Sequence, residues 1–92
     1  MKVVINTCYG GFRLSNEALK LYEDLSGKKE VDDMDIERND PILIDIIETL
    51  GIEKSSSGYS ELKIVDIPDG INYTICEYDG NEWVAEVHRI WE

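Results

Sequence analysis

The chain opens on Val3-Val4-Ile5, a β-branched run that does not alternate with polar residues. Such a run predicts a strand buried on both faces. From Ser15 the period changes, and Ala18, Leu21, Tyr22 and Leu25 recur at helical spacing as one buried stripe. Ser15 is a good N-cap, and Glu17 suits the positive end of the helix dipole. Leu14 and Leu19 hold the positions of a hydrophobic staple, and Gly27 ends the helix. Residues 28–38 are charged, with Met34 and Ile36 alternating with acids in the manner of a short strand. A second helix begins at Asp40 as N-cap with Pro41 in the first helical position, and stops at Gly51. Its apolar residues lie on more than one face. This helix should therefore be the most buried element, with Leu43, Ile46, Ile47 and Leu50 nearly fully covered.

Ser55-Ser56-Ser57-Gly58 reads as a flexible connector, and Leu62 to Ile67 as a strand stopped by Pro68-Asp69-Gly70. Asn72–Tyr78 and Asn81–Val87 form a hairpin on the two-residue turn Asp79-Gly80. That turn sets the register. Tyr78 opposes Asn81, Cys76 opposes Trp83 and Thr74 opposes Ala85; on the other face Ile75 opposes Val84 and Tyr73 opposes Glu86. The last three strands are close in sequence and are expected to be antiparallel neighbours. The expected architecture is α+β: one small, mostly antiparallel sheet of four to five strands with two helices packed on it, residues 1–92 forming a single domain.

Composition narrows the classes of function. A chain of 92 residues has room for one core. At that size it buries only about 60–65% of its unfolded surface, so self-association would add useful burial. The formal net charge is −11. That balance argues against a nucleic-acid binder, whose affinity comes from Lys and Arg on phosphates, and against an anionic membrane surface. It is compatible with a solvated acidic exterior, a cationic partner or mimicry of an acidic surface. No apolar run approaches the ~20 residues that span a bilayer, so the cytoplasm, with reduced thiols, is the default location. Cys8, Cys76 and the lone His88 do not make a structural zinc set, and neither a metal nor a cofactor is expected.

Four segments could carry chemistry. Tyr9-Gly10-Gly11-Phe12 joins a strand to a helix, where glycine N–H groups can face an anion, although the loop matches neither the P-loop nor the dinucleotide fingerprint. The plainer reading is a tight turn with Tyr9 and Phe12 packed on the core. Cys8 near a helix N-terminus could act as a nucleophile with His88, or be a buried structural thiol. Arg38, just ahead of Asp40-Pro41, could clamp a carboxylate or phosphate through both its nitrogens, or simply precede a capped helix start and pair with a neighbouring acid. His88-Arg89-Ile90-Trp91 suits stacking on a planar ring, an interface, or a tail folded on its own core. The three arginines, Arg13, Arg38 and Arg89, would make a local positive pocket if they converged. The candidate ligand-binding residues are Asn6, Cys8, Tyr9, Gly10, Gly11, Arg38, His88 and Arg89; no residue is assigned a catalytic role.

Val3-Val4-Ile5-Asn6-Thr7-Cys8-Tyr9-Gly10-Gly11-Phe12, with Ser15 following, resembles a family of short, largely uncharacterised phage and prophage proteins. Arg38-Asn39-Asp40-Pro41, Leu62-Lys63-Ile64-Val65, Ile67-Pro68-Asp69-Gly70, Glu77-Tyr78-Asp79-Gly80 and His88-Arg89 extend the likeness over most of the chain. Where the family usually has a second glycine after the aromatic, this chain has Arg13. The resemblance implies a phage or prophage origin, hence the host cytoplasm, and implies no particular activity. Three functions follow as expectations. The first is nonenzymatic sequestration of a small anionic ligand, such as a nucleotide-derived signal of host immunity. The second is a protein-interaction module that inhibits a host protein through its acidic surface. The third is a hydrolase or transferase using Cys8 and His88.

Overall fold

Strand β1 (Lys2–Asn6) lies inside the protein in a computed structural model that describes residues 1–58 and 60–86. Val3, Val4, Ile5 and Asn6 are all buried, as the unalternating run requires. One edge of β1 pairs antiparallel with β2 (Leu62–Asp66), Lys2 opposite Asp66 and Asn6 opposite Leu62. Val4 and Leu62 face the helices, with Ile64 packed beside them. There they join Phe12, Leu14, Ala18 and Tyr22, together with Ile36, Leu43, Ile46 and Ile47, in one apolar core. Val3 and Ile5 point to the opposite face.

Helix α1 (Asn16–Ser26) begins where the Ser15 side chain accepts the Ala18 N–H, and it ends at Gly27 with φ 75°. Helix α2 (Pro41–Leu50) begins at Asp40, whose carboxylate accepts the Ile42 N–H. The other oxygen of Asp40 accepts the Tyr22 hydroxyl at 2.6 Å, so one side chain caps α2 and ties it to α1. That hydrogen bond, with burial second, raises the Tyr22 hydroxyl to about 12. A raised acid contributes stability below its unfolded value of about 10, and that contribution is lost as pH climbs from there to about 12. Tyr22→Phe is expected to cost about 1–3 kcal/mol at neutral pH and to flatten the decline in stability above about pH 10. Urea titrations of both proteins at pH 7 and pH 11 read the difference; parallel curves would remove Asp40 from this account.

The hairpin forms in the register set by its turn. Strands β3 (Tyr73–Tyr78) and β4 (Asn81–Glu86) place Cys76 opposite Trp83, Ile75 opposite Val84 and Tyr73 opposite Glu86. Asp79 and Gly80 have φ of 51° and 89°, the doubly positive pair that a type I′ turn requires. Val87, expected to end the second hairpin strand, lies outside the described residues.

The protein is α+β, but its described strands do not make one sheet of four to five. They form two antiparallel pairs, β1 with β2 and β3 with β4, so β2 and the hairpin strands are not ladder neighbours. The cause lies on the second edge of β1. There the Val4 N–H donates to the Arg38 carbonyl at 2.8 Å and the Asn6 N–H donates to the Glu82 carboxylate at 2.8 Å. With both N–H groups occupied, β4 packs beside β1 without a backbone ladder. Residues 33–35 are a 3₁₀ turn rather than part of a strand, because the Asp32 side chain accepts the Met34 N–H and closes the chain on itself. Ser55 is no connector residue. It ends a third, four-residue helix, α3 (Ile52–Ser55), and its carbonyl accepts the Ser15 N–H. Leu25 is exposed and Leu50 half-buried, so the apolar stripes of α1 and α2 are narrower than their sequences suggest.

Candidate functional site

Behind the 3₁₀ turn the backbone of Arg38 is fixed against β1, which aims its side chain along the protein toward β4. The guanidinium meets Glu82 through two parallel contacts, Nη1 to Oε1 at 2.6 Å and Nη2 to Oε2 at 2.9 Å. It also lies 3.8 Å over the Phe12 ring. This is the fork geometry that Arg, and not Lys, provides. Side-chain exposure is 19% for Arg38 and 8% for Glu82, so the pair is largely withdrawn from water. Oε1 of Glu82 also accepts the Asn6 N–H, so three donors converge on one carboxylate.

Asn6 is the hub of the neighbouring contacts. Its Nδ2 donates to the carbonyls of Cys8 and Gly80, each at 2.6 Å, and its Oδ1 accepts the N–H groups of Cys8 and Glu61. Both amide protons and both lone pairs are used, which explains a fully buried asparagine at the end of an apolar strand. The glycine loop is filled from the same side. Gly10 donates its N–H to the Asp79 carbonyl at 3.2 Å. A Cβ on Gly80 would collide with the backbone nitrogens of Gly10 and Gly11. Bare glycines on both surfaces thus let the hairpin turn touch the loop.

The structure brings Asn6, Gly10, Gly11 and Arg38 together around the tip of the hairpin, and Cys8 takes part through its backbone. The Cys8 side chain is half-buried beside a depression of about 490 Å³ shared with Ile52, Ser56 and Glu61. Tyr9 is 66% exposed, outside this cluster, whereas Phe12 is buried beneath Arg38. Arg13 pairs with the buried Asp33 instead, so Arg13 and Arg38 serve different acids. His88 and Arg89 lie outside the described residues, as does Trp91. Sequence reasoning did not include Glu82 and Gly80 in the site. The signal was present: the turn register puts Glu82 on the same face as Ile75 and Val84, and an acid on an inward face needs a cation.

The outer face of the hairpin has a different character. Thr74, Cys76, Tyr78, Asn81, Trp83 and Ala85 share it by register, and none is charged. Tyr78 is 68% exposed and Trp83 48%. Among the described residues there is no helix long and apolar enough to cross a membrane, and no cluster of three His, Cys, Asp or Glu side chains that could hold a metal. Comparison with known proteins finds no matching family model, curated protein or solved structure.

Proposed function

We propose that this chain is a nonenzymatic binding protein, of phage or prophage type, that docks on a protein of the host cytoplasm through the outer face of its hairpin. The observation that carries this reading is the uncharged face holding Trp83 and Tyr78 on a chain of net charge −11. Exposed aromatic anchors on a face without charge are the composition of an interface core. The matching partner has an apolar pocket for an indole ring, rimmed by Lys or Arg. A neutral centre avoids burying unpaired carboxylates, while the overall charge of −11 speeds encounter with a basic surface.

The test is a protein captured from host lysate, identified, purified and titrated against the wild type and against Trp83→Ala. Loss of at least about thirty-fold in affinity fits an anchor residue worth about 2 kcal/mol or more. Equal affinity for the variant, or capture of nothing, removes the hairpin face from the proposal. A second reading, sequestration of a small anionic ligand, is favoured by the donors gathered at Arg38 and Asn6. In this structure those donors hold Glu82.

A further inference from the structure

The contacts of Glu82 amount to a built oxyanion site: a forked guanidinium stacked on Phe12 and the Asn6 N–H on one carboxylate, with the bare glycine loop alongside. We infer that this socket is a binding site for a free carboxylate or phosphate group, which the protein closes on itself with Glu82, and that such a ligand competes with Glu82 by displacing the hairpin. This goes beyond the docking role of the outer face and is independent of it.

Two sets of observations support it. The donors are on the body of the protein, held by β1, by the Arg38 carbonyl on Val4 and by Phe12 in the core, so they remain in place without the hairpin. The acceptor is on a unit that can leave. Among the described residues none of β3 or β4 belongs to the apolar core beneath the helices, and the ladder and turn of the hairpin are internal to it. It is joined to β2 through residues 67–72, which include Pro68 and Gly70. An apolar cleft of about 200 Å³ is lined by Tyr73 and Val84 of the hairpin together with Val65 and Ile67. At its tip the hairpin is attached through polar contacts: Glu82 to Arg38 and Asn6, Gly80 to Asn6, and Asp79 to Gly10. Elements that lie outside the main core can open locally before the whole protein unfolds. A ligand that binds only the open form holds it open by mass action.

The experiment empties the socket and refills it. Full-length Glu82→Ala is melted in increasing sodium acetate, and separately in sodium phosphate, against sodium chloride at matched ionic strength. The expected result is a saturable rise in Tm with acetate, phosphate or both, beyond that in chloride, and no such rise in the Arg38→Ala/Glu82→Ala double variant. The more effective anion identifies the preferred oxyanion. In the wild type, the same anion should speed amide exchange across residues 73–86 relative to α2. The inference is overturned by an equal response in chloride, by an equal rise in the double variant, by a Glu82→Ala chain that stays unfolded in every anion, or by wild-type exchange that the anion leaves unchanged.

Discussion

Arg38→Ala is expected to lower the unfolding free energy by about 3–5 kcal/mol, the cost of leaving a buried carboxylate without its cation. Glu82 is 8% exposed and, among the described residues, would keep the Asn6 N–H alone as a donor. The Phe12 ring would also lose the guanidinium stacked on it. Total stability for a domain of this size is about 5–14 kcal/mol, so the variant approaches the threshold of folding. Arg38→Lys should recover only part of the loss, because an ammonium cannot meet both carboxylate oxygens in the fork geometry. Replacing both partners by apolar residues, Arg38→Met with Glu82→Leu, should cost much less than Arg38→Ala alone, since no charge is then left buried and unpaired. Urea unfolding of the four proteins measures this. A loss below about 1 kcal/mol for Arg38→Ala would mean that the pair behaves as a surface ion pair and does not fasten the hairpin.

The features legible in the sequence were those that local chemistry decides. Ser15 and Asp40 cap their helices because a side-chain oxygen within reach of a free N–H needs nothing from the rest of the fold. The hairpin register followed from Asp79-Gly80, because a two-residue turn leaves no freedom in pairing. The pairing of β1 was not legible. Whether β4 ladders with β1 depends on which acceptor reaches the N–H groups of Val4 and Asn6, and those acceptors come from residues 38 and 82. Arg38 was singled out in sequence as a group suited to bidentate recognition of an anion, with pairing to a neighbouring acid as the alternative. In the structure its fork holds Glu82, a residue 44 positions away that no local pattern connects to it. Ser55 shows the same limit from the other side. A serine-glycine run has the composition of a linker, but backbone contacts to Ser15 and a bridge from Leu14 to Ser56 bind this one into the fold.

The second large effect concerns α2. Ile47 is 1% exposed and belongs to the core with Leu43 and Ile46, between the two long helices and the β1–β2 pair. Ile47→Ala removes buried methylene and methyl groups and leaves a cavity that close-packed neighbours fill only in part, at an expected cost of about 2–5 kcal/mol. Leu50 is on the same helix but half-buried, so Leu50→Ala removes less contact and should cost distinctly less. The two substitutions alter the same helix and nearly equal side-chain volumes, and the helix propensities of Ile and Leu differ by only a few tenths of a kcal/mol, so a gap larger than that reports burial. Ile47→Ala should also differ from Arg38→Ala in how it fails. Loss of core packing weakens α1, α2 and β1 together, so amide exchange should accelerate throughout the protein. Loss of Arg38 should accelerate exchange first across residues 73–86, where the contacts of Glu82 hold the hairpin to Asn6 and Arg38. A cost below about 1 kcal/mol for Ile47→Ala would place α2 at the periphery, and uniform exchange in Arg38→Ala would mean that hairpin and core unfold as one unit.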